Sequence, residues 1–167
     1  MKFSTFANQF ATTVEPCALD WEEIVELFAA HREFNGDKAE QLHFNGTEFN
    51  KTLYRNNEGV EAIHILVLDF DDGMTLEAAK KHFRPYTHCG YTSYNHQVKK
   101  DGKAAVDKFR ILLPLSTPCP KDTWLEISHN VKDIAPGVDM SCVRPHQPFA
   151  VPLVRKGGRY ESWSNSG

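Results

Sequence analysis

The stretch Ile63-His-Ile-Leu-Val-Leu-Asp69-Phe-Asp71-Asp72-Gly73 sets an apolar run directly against three carboxylates and a glycine. Strand side chains alternate, so Ile63, Ile65, Val67, Asp69 and Asp71 share one side. The run reads as a buried strand whose C-terminal tip carries two carboxylates side by side. Carboxylates that close repel each other unless a cation lies between them. Hard oxygen donors favour Mg²⁺ or Mn²⁺ over zinc. A polar turn after a strand is the competing reading. It accounts for Asp72 and Gly73, but not for an acid at Asp69 still in register inside the strand.

The chain of 167 residues is long enough for one domain with a real core. No apolar run approaches the length of a membrane span, and Met1-Lys2-Phe3 does not open a signal peptide. Cys17, Cys89, Cys119 and Cys142 are widely spaced and form no C-x-x-C pair, which fits free thiols in a reduced, cytoplasmic setting. Cys142, His146, His88 and Cys89 match no known zinc spacing. The net charge of −3 hides an asymmetry. Residues 15–40 hold eight acids against two bases, and residues 80–110 hold eight bases against Asp101 and Asp107. That distribution suggests a localised anion-binding face, although Lys99, Lys100 and Lys103 read better as a solvated loop.

Residues 2–11 read as a short strand or an extended arm. Asp20 and Glu23 form a capping box ahead of the apolar stripe Trp21, Ile24, Val25 and Phe28, which predicts a helix. Residues 34–60, rich in Asn and Gly, read as a long loop with a short helix at most. Lys51 and Arg55 are cations without a local role. A strand over 62–70, a helix from Thr75 to Phe83, and strands over 86–93 and 108–114 follow. A lysine-rich hairpin loop around Asp101-Gly102 lies between the last two. Pro118 and Pro120 introduce a helix to Val131, and Pro148–Val154 is the last strand. The order from residue 62 is β-α-β-β-α-β, an α+β arrangement of ferredoxin-like or RNA-recognition type (RRM-like) with an N-terminal helical extension. The expected division is an extension over 1–60, a core over 61–154, and a tail or linker over 155–167.

With the usual strand order 4-1-3-2 for that motif, Asp69, Asp71, His96, Lys108, Arg110 and the Asp139–Arg144 loop fall along one rim. Three carboxylates can hold two divalent ions for phosphoryl transfer. Nearby cations neutralise phosphates, and a histidine can donate to a phosphate oxygen.

These segments resemble the archaeo-eukaryotic primase superfamily, in particular phage- and plasmid-encoded primase–polymerases. The resemblance rests on Leu66-Val-Leu-Asp69-Phe-Asp71-Asp72-Gly73, then Tyr91-Thr-Ser-Tyr-Asn-His96-Gln97, then Lys108-Phe-Arg-Ile-Leu-Leu-Pro114, then Val138-Asp139-Met-Ser-Cys-Val-Arg144. It covers residues 60 to 154. It implies a DNA primase–polymerase that transfers nucleotides from dNTPs or NTPs, using two Mg²⁺ or Mn²⁺ ions, on single-stranded DNA template and primer. Asp69, Asp71 and Asp139 would hold the metals, and His96 would contact the nucleotide phosphates. Ser93, Asn95, Lys108, Arg110 and Arg144 would be further nucleotide or template contacts. Tyr94 departs from the family's Ser-x-His pattern, which leaves open whether Ser93 or Asn95 assists His96. The resemblance also implies a helicase or accessory helical domain beyond this chain, with primer extension kept and initiation lost without it.

Two other functions compete. A Rep-type nicking endonuclease requires a His-x-His metal pair, which the eight histidines do not supply. A non-catalytic RNA-recognition module would present aromatics for base stacking, but an aspartate pair would repel phosphate without a metal.

Overall fold

The computed structural model describes residues 1–50, 52–99, 102 and 104–167. Lys51, Lys100, Asp101 and Lys103 lie outside them, the last three from the middle of the expected lysine-rich hairpin loop. In chain order the elements are β1 (Lys2–Phe6), β2 (Glu15–Ala18), α1 (Trp21–Ala29), β3 (Arg32–Glu33), β4 (His43–Asn45), β5 (Thr47–Phe49) and β6 (Val60–Phe70). Then come α2 (Leu76–Phe83), β7 (Thr87–Thr92), β8 (Phe109–Pro120), α3 (Lys121–Ile127), α4 (Val131–Ile134), β9 (Phe149–Ala150), β10 (Leu153–Val154) and β11 (Ser162–Ser166). Among the described residues no helix is long and apolar enough to cross a membrane.

A five-stranded sheet, β11-β7-β8-β6-β5, positions everything else. Its centre, β6-β8-β7, is antiparallel throughout and keeps the expected 1-3-2 order. The fourth slot is different. Residues 148–154 do not form one strand beside β6. They break into β9, which pairs with β4, and β10, which pairs with β3. Pro148 and Pro152 flank the two pieces and have no N–H to give to a continuous ladder. The place beside β6 is taken by β5, from the segment expected to be loop. The first 60 residues therefore contribute more strand than helix, and with β9 they build a second sheet of order β2-β1-β4-β9.

The region expected to be a linker also joins the main sheet. Ser162–Ser166 pairs antiparallel with β7 as an edge strand. The Trp163 ring lies over Gly90 so closely that an added Cβ there would come within 2.2 Å of it. Strand β8 runs six residues beyond its expected end at Pro114. Its pairing with β7 stops at Leu112, so Pro114, Pro118 and Pro120 stand where one side of the strand has no partner to bond.

Both faces of the sheet are buried, which is why β6 reads as a nearly unbroken apolar run. On one face Phe70 stacks on Phe109 at 4.8 Å, and Phe83 of α2 meets Phe70 edge-on. On the other, Phe28 of α1 stacks on Tyr91 at 5.7 Å and tilts against Phe44 of the second sheet. Helix α1 has the expected capping box, with Asp20 Oδ1 accepting from Glu23 N and Glu23 Oε2 accepting from Asp20 N. Thr75 caps α2 through Ala78 N.

Candidate functional site

Register places three polar side chains in one row across the sheet: Asp69 on β6 faces Arg110 on β8, which faces Tyr91 on β7. Asp71 lies two residues further along and Lys108 two residues back, so both extend the same face beyond the end of the sheet. Arg110 is buried, with its Nε 2.9 Å from Asp69 Oδ1 as an ion pair. Its Nη1 donates to the Ala150 carbonyl at 3.1 Å and to the Tyr91 hydroxyl at 3.5 Å. The guanidinium lies 5.5 Å from the Phe149 ring centroid. Burial works against its charge, but the Asp69 carboxylate and the Tyr91 hydroxyl more than offset this and raise its pKa above the ordinary value. Arg110 therefore anchors Asp69 from beneath, while Lys108 Nζ holds Asp71 Oδ1 at 2.7 Å from the solvent side.

The third acid arrives from a distant loop. Asp139 N donates to the Asp69 carbonyl at 2.9 Å, and its carboxylate caps the short turn Met140–Val143 by accepting from Ser141 N and Oγ, both at 2.8 Å. Two glycines make this approach feasible. Gly73 and Gly137 both have positive φ, 81° and 80°. Their backbones cross so closely that a Cβ on Gly137 would sit 3.2 Å from the Gly73 carbonyl. A Gly137→Ala variant is expected to lose about 1–2 kcal/mol, the cost of a side chain in the left-handed region, with loss of the Asp139 approach. Urea unfolding measures the first effect. A reduced rise in melting temperature on adding Mn²⁺ measures the second.

The outcome is one cluster. Asp69, Asp71 and Asp139 each offer a carboxylate oxygen within 4.8 Å of the others. Ligand oxygens around one Mg²⁺, at about 2.1 Å each, stand about 3–4 Å apart. The three acids are thus close to a coordination shell, and an all-oxygen donor set suits Mg²⁺ or Mn²⁺. Among the described residues this is the one such cluster of His, Cys, Asp and Glu; Cys142, His146, His88 and Cys89 do not converge.

His96 is not part of the cluster. Its Nδ1 accepts from Lys108 N at 3.2 Å, so the neutral ring carries its proton on Nε2. Burial pushes the imidazole below its ordinary pKa against the pull of Asp107, whose Oδ1 is 3.9 Å away. Lys108 thus bridges the two parts of the site, with its backbone on His96 and its ammonium on Asp71. Ser93 opens the His96 turn, its carbonyl accepting from His96 N. Asn95 accepts from Arg155. Arg144 is exposed beyond the Asp139 turn, and its charge is felt at His146. Arg55 is committed elsewhere, donating to the Ala11 and Gln9 carbonyls. Asp72 is exposed in the turn.

Sequence reasoning passed over two groups of cations. Lys38 is half-buried at a short turn, close enough to interact with Arg110, Asp69, Asp71 and Lys108. Burial, aided by Arg110, holds its pKa below the ordinary value. It is one of two bases among eight acids in residues 15–40, and that isolation was its only trace. Arg155 and Arg159 line a cavity of about 390 Å³ with His96 and Tyr94. Their trace was the run Arg155-Lys-Gly-Gly-Arg159.

No protein-family model and no curated protein sequence matches the chain. Among solved structures, the AEP domain of the Cyanophage S-2L primase–polymerase (PrimPol) matches with a TM-score of 0.54 at 9% sequence identity, covering 99% of this chain and 82% of that one. The likeness is one of fold.

Proposed function

We propose that this protein is a template-directed nucleotidyltransferase of the primase–polymerase kind, acting on nucleoside triphosphates. The convergence of Asp69 and Asp71, at the end of β6, with Asp139 from a distant loop is the observation that carries the reading, and the fold it shares with a primase–polymerase domain supports it. In the reaction a primer 3′-oxygen bonds to the α-phosphorus as the α–β bridging bond breaks and pyrophosphate leaves. The three carboxylates would hold two divalent ions, which when bound supply positive charge at the attacking and leaving oxygens.

The protein's own groups prepare that chemistry. Arg110 fixes Asp69 through Oδ1, and Asp69 offers a carboxylate oxygen to the cluster. Lys108 neutralises Asp71 and stands within reach of any phosphate placed there. His96 presents a neutral Nε2–H donor, oriented by the Lys108 backbone.

The test is direct. The protein is incubated with a primed single-stranded DNA template, each dNTP or NTP singly, and Mg²⁺ or Mn²⁺. Extension by the nucleotide complementary to the template base is expected. Cleavage of single-stranded DNA without nucleotides would replace this reading with a nicking endonuclease. DNA binding without extension would replace it with a binding module.

A further inference from the structure

We infer that the apolar groove on the outer face of the second sheet docks a basic amphipathic helix of a partner protein. The groove encloses about 600 Å³, and none of the three clustered acids lines it. Register explains its floor. Phe3 pairs with Cys17 and Thr5 with Phe44, so these four side chains stand on one face. Ser4 and Phe6 turn the other way, onto the Thr47 carbonyl and the Phe49 ring. Leu27 and Phe28 at the end of α1 form one wall, and Leu42 and Val151 form another. Val151 N donates to the Leu42 carbonyl at 3.2 Å and fixes that wall. Leu27 is 50% exposed and Leu42 47%, so each wall carries a leucine with apolar surface left to bury. In the lining only Thr5, Cys17, His31 and Arg32 carry polar side-chain atoms.

The rim selects the charge of the occupant. On α1, Glu23 lies one turn before Leu27 and Glu26 one turn before Ala30, and residues four apart share a helix face. Leu27 and Ala30 both line the groove, so both carboxylates edge that wall. Glu15 stands opposite Thr5 in the ladder, two residues before Cys17, and shares the floor's face at its end. All three acids are exposed. Of the two bases among the eight acids of residues 15–40, Lys38 belongs with the clustered carboxylates. Arg32 is the other, and it donates to Gln41 and lies 5.8 Å from the Phe34 ring centroid. Lys2 is turned to the opposite face, on Glu48. A helix with an apolar stripe flanked by Lys or Arg fills such a groove and meets the acids at its rim.

The same features weigh against other occupants. An added strand needs a free sheet edge, but the floor is a sheet face whose strands β1 and β4 have partners on both sides. An anionic membrane surface would be repelled by the acidic rim. In a two-fold dimer the groove would meet its own copy, acid against acid.

The experiment is fluorescence-anisotropy titration of a labelled leucine–lysine peptide of about 14 residues, four helical turns, with leucines at i, i+3, i+4 and i+7. The controls are a shuffled peptide of the same composition and a peptide with glutamate in place of lysine. Both are expected to bind wild type at least tenfold more weakly. Leu27→Ser with Leu42→Ser, two exposed positions, is expected to weaken the leucine–lysine peptide at least tenfold, and circular dichroism melts verify that the variant folds. Glu15→Gln with Glu26→Gln should weaken it severalfold and reduce its salt dependence. Equal affinity in the folded leucine variant overturns the inference, because the attraction is then one of charge alone. So does binding of the shuffled or glutamate peptide as tight as that of the leucine–lysine peptide. A wild-type dimer in sedimentation that the leucine variant dissociates replaces the partner helix with a second copy. Leucine-dependent binding to vesicles containing phosphatidylserine replaces it with a membrane.

Discussion

Asp71→Asn and Asp139→Asn are each expected to slow template-directed extension about 10³-fold while leaving the protein folded. Bound metal contributes several kcal/mol of transition-state charge stabilisation, and about 1.4 kcal/mol corresponds to a factor of ten in rate. These two acids are the informative ones because their structural roles survive the change. Asn caps a turn about as well as Asp, so Asp139→Asn keeps the bond from Ser141 N. Asp71 has a side chain 58% exposed, and losing an exposed pair with Lys108 costs less than about 1 kcal/mol. The pH dependence is also fixed in sign. Burial tends to raise the Asp71 pKa, but Lys108, with Arg110 and Lys38, outweighs it and holds the value below the ordinary 3.8. Its contribution to stability is therefore present above that ordinary value and lost as pH falls through the lower folded one. Any change of rate between about pH 6 and pH 8 then belongs to another group. Single-turnover extension, paired with urea unfolding of each variant, decides the matter. Extension within tenfold of wild type in a folded variant would remove that acid from the metal site.

The acids were legible in the sequence and their surroundings were not, for a physical reason. Strand β6, helix α2 and the capping box of α1 are long or locally determined, so period and spacing reveal them. The junction of strand and acid at Asp69 survives in any fold that buries Val67. Strands β4 and β5 have three residues each, too few for a period, and they exist because β1 and β6 are there to pair with them. The segment Pro148–Val154 has the composition of a strand, and composition does not show that its prolines split it between two sheets. Strand β11 is rich in serine, and only Trp163 hinted that it packs, since an indole in a polar tail needs a cavity to fill. The same holds at the site. Lys38 and Arg159 owe their positions to tertiary folding, whereas Asp69 and Asp71 owe theirs to strand alternation. Arg110 was expected among the nucleotide contacts from its place on the rim and from the family resemblance. Its register opposite Asp69 and Tyr91 puts it beneath the carboxylates, a position that depends on which strand neighbours β6.

Arg110→Leu is expected to cost about 3–5 kcal/mol, because it leaves Asp69 with a largely buried charge and no partner. Total stabilities of domains are about 5–15 kcal/mol, so the loss is large and is best read by urea unfolding at low temperature. Arg110→Lys should lie between, since an ammonium lacks the planar fork that reaches Asp69, Tyr91 and the Ala150 carbonyl together. Arg110→Leu combined with Asp69→Leu should recover most of the stability, as apolar replacement of a whole buried pair is often close to neutral. If the double variant is as unstable as the single, the loss comes from the Ala150 and Tyr91 bonds and not from the orphaned carboxylate. The pair also bears on metal binding. In wild type Asp69 already has a counter-ion on Oδ1, so a divalent ion at the cluster adds a second. In Arg110→Leu the same ion becomes the principal partner of a buried charge. A ligand that binds the folded state stabilises it by an amount that grows with its affinity. The rise in Tm on adding Mn²⁺ should therefore be larger in Arg110→Leu than in wild type, and absent once Asp69 is also replaced. Equal rises in wild type and Arg110→Leu would mean that Asp69 serves Arg110 alone and that the metal, if held, rests on Asp71 and Asp139.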